Sequence, residues 1–174
     1  YIIIFSLFIF ILKHLFLWKP LNTDYLFKNG PLMIGHRGVP NEVPENTIEG
    51  FKNLIEYGIK VVEVDVVKTK DNHIICSHNF VLEIETNGLG VIANKNFSEI
   101  KKFNTAAKFL NKNHISIPKL SKLIDELPEN IIFNIEIKSS SVFDLKSVPL
   151  VLKILKEKKI QNRVFISSFN PLIL

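Results

Sequence analysis

Apolar and polar positions divide the chain into two parts near residue 30. Residues 1–12 are apolar apart from Ser6, and a second apolar run follows at residues 15–18. From residue 31 onward, short apolar runs alternate with segments whose apolar residues recur at helical spacing. This pattern predicts a hydrophobic N-terminal helix followed by a domain of alternating strands and helices.

The second part predicts five strands. They are expected at residues 31–34, 60–67, 74–77, 131–137 and 163–167. Helices are expected at about 47–57, 98–103, 119–127 and 145–159, with a loop-rich insertion over 80–117 and a further helix beginning at Asn170-Pro171. Alternation of this kind favours an α/β fold with a parallel sheet, either open or closed into a barrel.

The hydrophobic N-terminal segment admits three interpretations. Its length approaches the roughly 20 residues of a membrane-spanning helix, and Trp18 and Lys19 suit the interfacial end of such a helix. A signal peptide fits less well, because no small-x-small cleavage motif follows the apolar run. The third interpretation is a buried helix of the domain. We expect a transmembrane or signal-anchor helix at residues 1–20 and a linker at 21–30, and flanking lysines favour a domain on the cytoplasmic side.

Composition excludes several classes of protein. The chain has 174 residues, which suits one domain, and 47% of them are hydrophobic, which excludes intrinsic disorder. A single cysteine, Cys76, excludes a disulfide-stapled fold. The net charge of +5 comes from lysines spread along the chain, with only two arginines, Arg37 and Arg163. Because nucleic-acid binders concentrate their cations on one face, we expect no nucleic-acid partner.

Polar residues lie at or near the ends of the predicted strands, where barrel enzymes keep their active sites. Carboxylates inside strands rich in Val and Ile are costly to bury unless they are paired or bind a metal. Ca²⁺ and Mg²⁺ prefer such oxygen ligands, histidines can act as acid and base, and fixed cations suit an anionic substrate. The residues concerned are Glu63, Asp65 and Glu136 among the carboxylates, His36 and His78 among the histidines, and Arg37 and Lys138 among the cations. Together they suggest metal-assisted cleavage of a phosphate ester.

Residues 34–47 resemble the opening signature of the glycerophosphodiester phosphodiesterases, with His36-Arg-Gly38 followed by Glu45-Asn46. Further motifs continue the resemblance in order as far as about residue 171. They are Glu63-Val-Asp65, Thr69-Lys-Asp-Asn72, His78-Asn79, Thr86-Asn-Gly88, Ile117-Pro-Lys-Leu120, Asn134-Ile-Glu-Ile-Lys138 and Ser167-Ser-Phe169. Each motif is weak alone, but the ordered series is specific.

The resemblance implies a metal-dependent hydrolase that cleaves glycerophosphodiesters into an alcohol and glycerol 3-phosphate. It assigns acid/base catalysis to His36 and His78, and a divalent ion, Ca²⁺ or Mg²⁺, to Glu63, Asp65 and Glu136. Substrate binding falls to Arg37, Glu45, Asn46 and Lys138. Two alternatives remain: a related lipid phosphodiesterase of the phospholipase D or sphingomyelinase type, and an inactive membrane-anchored remnant.

The chain departs from the family pattern in two respects. Asn79 stands where the family commonly has Asp after the second histidine, and the Arg usual before the Thr of the following loop is missing from Leu82-Glu-Ile-Glu-Thr86. The resemblance also implies an eight-stranded (β/α)₈ TIM barrel, of which about five strand–helix units precede Leu174. We therefore expect residues 31–174 to be a phosphodiesterase domain that is incomplete at its C-terminus.

Overall fold

The computed structural model describes residues 2–17, 30–109 and 113–173, and the chain forms two compact units, residues 1–32 and 33–174. The first unit contains helix α1, Ile2–Leu17, which confirms the predicted hydrophobic helix. Side chains from Ile4 to Leu12 are all exposed. No helix within the described ranges combines the length and the apolar character needed to cross a membrane. Trp18, Lys19 and almost all of the predicted linker lie outside the described residues.

The second unit alternates strands with helices, as its pattern predicts. The strands are β1 (Ile34–His36), β2 (Val61–Lys68), β3 (Ile74–Cys76), β4 (Ile132–Ile137) and β5 (Val164–Ser167). The α-helices are α2 (Ile48–Glu56), α3 (Leu82–Glu85), α4 (Phe97–Ile100), α5 (Leu120–Glu126) and α6 (Ser147–Glu157). Residues 171–173 form a turn rather than the expected helix.

Four of these strands form a parallel sheet in the order β1-β2-β4-β5. β2 and β4 share the longest register, from Val61 opposite Ile132 to Val66 opposite Ile137. Every residue of β2 from Val61 to Val67 is buried. A strand that is buried on both faces and still carries acidic residues needs partners for those residues.

The third predicted strand is present but runs in the opposite direction to the others. β3 pairs antiparallel with β2, from Val66 opposite Cys76 to Lys68 opposite Ile74. The cause is the short connection: Asn72, at a φ of 62°, lies in a tight turn between the two strands. A parallel neighbour would need a crossover of a dozen residues or more. The parallel sheet therefore contains four of the five strands.

The main hydrophobic core lies between the sheet and helices α2, α5 and α6. It includes Phe51 and Leu123 from the helices and Phe133 and Ile135 from β4. The loop after β1 approaches α2 closely: at Gly38, where φ is 93°, a Cβ would lie 2.9 Å from the carbonyl carbon of Gly50. This close approach holds the loop over the carboxyl end of the sheet.

Candidate active site

Three carboxylates from two neighbouring strands converge at this end of the sheet. Glu63 and Asp65 lie on one face of β2 because side chains alternate along a strand. Asp65 pairs in register with Glu136 of β4. One oxygen from each of the three carboxylates lies within 4.8 Å of the other two. The structure thus brings together all three residues that the sequence predicts as metal ligands.

Two oxygens of this carboxylate group are buried without a hydrogen-bond partner, Glu63 Oε1 and Asp65 Oδ1. Burial raises the pKa of Glu63 to about 7, and the nearby charges of Asp65 and Glu136 add to the effect. Unpaired buried oxygens are costly, and a divalent cation satisfies several such oxygens at once. The donor set, three carboxylates and no sulfur, fits Ca²⁺ or Mg²⁺.

The end of β1 places His36 and Arg37 against these carboxylates. His36 pairs in register with Glu63, and its Nε2 lies 3.8 Å from Glu63 Oε2, with two thirds of the side chain exposed. Arg37 takes a left-handed φ of 59°, which is uncommon for a residue with a side chain. Its backbone N–H points to Glu63 Oε2 at 3.2 Å. Its Nε lies 3.0 Å from Asp65 Oδ2.

Asn46 lies fully buried beside Asp65. Its Nδ2 donates to Asp65 Oδ2 at 3.1 Å, and its Oδ1 accepts from the Asp65 backbone N–H at 3.0 Å. The next residue, Thr47, caps helix α2, because its Oγ1 accepts from the Gly50 backbone N–H at 3.1 Å. Both ends of the Asn46 amide are therefore used to hold Asp65.

Lys138 follows β4 and completes the ring of charges. Its Nζ donates to Glu136 Oε1 at 3.0 Å and lies 3.6 Å from Asp65 Oδ1. The side chain is only 14% exposed. The ammonium group therefore lies close to both Glu136 and Asp65, and it partly neutralises their charge.

A second polar group lies next to the first and contains Glu45, His78 and Glu85. One oxygen from each glutamate and one ring nitrogen of His78 all lie within 4.8 Å of one another. Arg37 joins the two groups, because its Nη1 donates to Glu45 Oε2 at 3.4 Å while its Nε contacts Asp65. The structure therefore places His36 with the metal-ligand candidates and His78 with a separate pair of carboxylates.

Glu85 is a site residue that sequence reasoning missed. Its carboxylate accepts hydrogen bonds from Ser77, His78 and Asn79. Burial raises the pKa of Glu85, while the hydrogen bonds from Ser77 and Asn79 oppose that shift. The sequence offers one indication of such a residue: Asn79 carries no charge, so a negative charge beside His78 would have to come from another residue.

A cavity of about 350 Å³ opens beside Glu136 and Lys138. Serines and an asparagine line one part of it, and apolar side chains line another. Its lining comprises Phe80, Glu136, Ile137, Lys138, Ser139, Ser141, Val142, Ser168, Phe169 and Asn170. A hollow of this size, with fixed charge at one end and mixed polar and apolar walls, suits a small anionic molecule.

Comparison with known proteins agrees with this geometry. The model of the glycerophosphoryl diester phosphodiesterase family matches residues 36–174. A glycerophosphodiester phosphodiesterase from Caldanaerobacter subterraneus is 38% identical over 141 residues, covering 80% of this chain and 58% of that protein. Glycerophosphodiester phosphodiesterase 1 of Rattus norvegicus is 27% identical over 142 residues, covering 79% of this chain and 42% of the rat protein.

Solved structures show the same fold. An Oleispira antarctica phosphodiesterase, determined in complex with the product sn-glycerol-3-phosphate, superposes with a TM-score of 0.76 at 27% identity, covering 82% of this chain and 59% of that one. A glycerophosphodiester phosphodiesterase from Agrobacterium tumefaciens superposes with a TM-score of 0.72 at 22% identity, covering 82% of this chain and 59% of that one. The chain thus spans less than two thirds of the length of these relatives. With the family model matched from His36 onward and the expected motifs gathered at one end of the sheet, the chain belongs to the glycerophosphoryl diester phosphodiesterase family.

Proposed function

We propose that the protein hydrolyses glycerophosphodiesters to an alcohol and sn-glycerol 3-phosphate, with a divalent metal ion at Glu63, Asp65 and Glu136. The observation that carries the proposal is the carboxylate group itself, with two buried oxygens that lack partners. Family membership supplies the reaction class. The named relatives favour a glycerophosphodiester over an intact lipid as the substrate.

Glu63, Asp65 and Glu136 would hold the ion, which we expect to be Ca²⁺ or Mg²⁺. When bound, such an ion polarises the phosphoryl oxygens of a diester and stabilises the negative charge that develops on them. Asn46 serves this site indirectly by fixing the orientation of the Asp65 carboxylate. Orientation of this kind contributes to affinity, because a ligand that is already in place loses less freedom on binding.

The phosphodiester would lie against Arg37 and Lys138. Both side chains are mostly buried and already contact the carboxylate group, so their charges are fixed near the position of the phosphate. Cations whose positions are already fixed stabilise phosphoryl charge more strongly than mobile surface lysines do. The neighbouring cavity of about 350 Å³ would take the alcohol portions of the substrate.

His36 and His78 would carry out acid/base catalysis. One imidazole removes a proton from the attacking oxygen nucleophile, and the other gives a proton to the oxygen of the leaving alcohol. His36 lies beside Glu63 and is largely exposed, so it can reach a bound diester. Glu45 belongs to the group around His78 and also accepts from Arg37, which couples the two sides of the site.

The proposed function is tested by release of glycerol 3-phosphate from glycerophosphocholine and glycerophosphoethanolamine, using the full-length protein with and without a chelator. We expect release that stops with chelator and returns with added Ca²⁺ or Mg²⁺. Lysophosphatidylcholine serves as the comparison substrate, because release of choline from it alone would favour the lipid phosphodiesterase instead. A folded protein that hydrolyses neither class would contradict catalytic function.

Membrane attachment through α1 stays a prediction and is part of the same proposal. It is supported by the apolar sequence of the helix and by the exposure of its side chains from Ile4 to Leu12. Co-sedimentation with phosphatidylglycerol vesicles tests it, comparing the full-length protein with a variant that lacks residues 1–29. Sedimentation of both proteins to the same extent would contradict attachment through this helix.

A further inference from the structure

The carboxylate of Glu85 receives four hydrogen bonds from three consecutive residues. Oε1 accepts from the backbone N–H of His78 at 2.9 Å, from the backbone N–H of Asn79 at 2.8 Å and from Asn79 Nδ2 at 2.8 Å. Oε2 accepts from the Ser77 hydroxyl at 2.8 Å. Hydrogen bonds to an ionised acceptor are among the strongest in proteins.

These bonds fix the segment that carries His78 into the site. β3 ends at Cys76, so His78 has no partner strand to hold its backbone. Ser77 N donates to the carbonyl oxygen of Asp65 at 3.0 Å, which ties the segment to β2 on one side. Glu85 holds it on the other side. The histidine is therefore placed relative to the metal-ligand candidates by one strand contact and one carboxylate.

Glu85 also supplies negative charge close to the imidazole. One of its oxygens, one oxygen of Glu45 and a ring nitrogen of His78 lie within 4.8 Å of one another. At that distance the negative charge of a carboxylate acts directly on the imidazole ring. Asn79 carries no charge, but both its backbone N–H and its side-chain amide contact Glu85. The Glu85 carboxylate is therefore hydrogen-bonded to position 79, where the family commonly has Asp.

We propose that Glu85 is the positioning residue of His78, and that it supplies from helix α3 the negative charge that position 79 lacks in this chain. The inference rests on the proposed function, because it assumes that His78 is one of the acid/base pair. It goes beyond that function because it assigns to Glu85 the negative charge that an Asp at position 79 would supply.

Three variants test the proposal through kcat and KM for glycerophosphocholine. Glu85→Gln keeps the shape and an acceptor oxygen but removes the charge, whereas Glu85→Ala removes every acceptor. Glu83→Gln is the matched control, since Glu83 lies on the same short helix, is exposed, and accepts one bond from Gly90 N. We expect kcat to fall about 10-fold in the first variant and about 100-fold in the second, with KM within about twofold and the control unchanged.

Restoring the charge at position 79 separates positioning from a general loss of structure. Adding Asn79→Asp to Glu85→Gln should recover kcat several-fold, because a carboxylate again lies beside His78. Failure of this double variant to recover, or a Glu85→Ala variant that folds and keeps its kcat, would overturn the proposal.

Amide hydrogen exchange at His78 and Asn79 tests the same contact without any turnover. Glu85→Ala should speed exchange at these two amides well beyond the change in Glu83→Gln, and equal exchange in the two variants would overturn the positioning role. If the wild-type protein released no glycerol 3-phosphate, the proposed function would fail, and the exchange result would still decide whether Glu85 holds the segment.

Discussion

Asn46 and Asp65 exchange two hydrogen bonds, one through each end of the asparagine amide. Nδ2 of Asn46 donates to Asp65 Oδ2, and the backbone N–H of Asp65 donates to Asn46 Oδ1. Asn46 reaches this position with a left-handed φ of 56°, a conformation that Asn tolerates better than most residues. Asp65 Oδ2 therefore accepts a hydrogen bond from within the protein. Asp65 Oδ1 lies buried beside Glu63 and Glu136 without a hydrogen bond.

Replacing Asn46 with Ala should destabilise the protein strongly. The change leaves the buried N–H of Asp65 unpaired, which costs about 1–3 kcal/mol, and it adds the cost of a left-handed Ala. Urea unfolding in chelator measures the loss. Asn72→Ala is the control, since Asn72 also has a left-handed φ, 62°, but lies exposed in the β2–β3 turn. Equal losses in the two variants would show that the bonds to Asp65 contribute nothing.

The stability of the metal-free protein should fall as the pH rises toward neutrality. The folded-state pKa of Glu63, about 7, lies above its ordinary value of 4.5. The stability contributed by this group is therefore fully present below about pH 4.5 and is lost as the pH rises through 7. Urea unfolding in chelator at pH 5 and pH 7.5 measures the loss.

The variant Glu63→Gln should flatten this pH dependence, because an amide does not titrate. Glu157→Gln, on the exposed side of α6, should leave the dependence as it is in the wild type. Added Ca²⁺ or Mg²⁺ should remove most of the loss at pH 7.5, since the ion binds the ionised carboxylates. A slope that is unchanged in Glu63→Gln would assign the effect to other groups.

Removing either proposed catalytic imidazole should reduce turnover while leaving ion binding intact. His36→Ala and His78→Ala should each lower kcat about 100-fold or more, because general acid or base catalysis contributes at least that factor. His114→Ala is the control, since His114 is exposed and lies outside both polar groups. Near-normal turnover in either variant would reject the role assigned to that histidine.

Local sequence predicted the residues of the site better than it predicted their arrangement. Glu63 and Asp65 are two residues apart, and the alternation of side chains along a strand is enough to put them on one face. The pairing of Asp65 with Glu136 is a long-range register, which no local pattern specifies. The direction of β3 depends on the short turn that precedes it, and an apolar run alone does not reveal whether it pairs parallel or antiparallel.

Contacts of the polar residues were the least predictable part. Asn46 was assigned to substrate binding, and no sequence pattern indicated that both ends of its amide contact Asp65. Glu85 drew no assignment, because a four-residue helix has too little periodicity to show which side chain points inward. Only the folded chain brings Glu85 to the residues that follow β3.

Hydrolysis should depend on an ion bound by Glu63, Asp65 and Glu136. The rate of glycerol 3-phosphate release from glycerophosphocholine is to be measured over a series of Mg²⁺ or Ca²⁺ concentrations, in the wild type, in Glu136→Gln and in the control Glu157→Gln. We predict that the half-saturating ion concentration rises about 10-fold or more in Glu136→Gln and stays unchanged in the control. Release that needs no divalent ion, or a half-saturating concentration that is the same in all three proteins, would show that these carboxylates do not bind a catalytic ion.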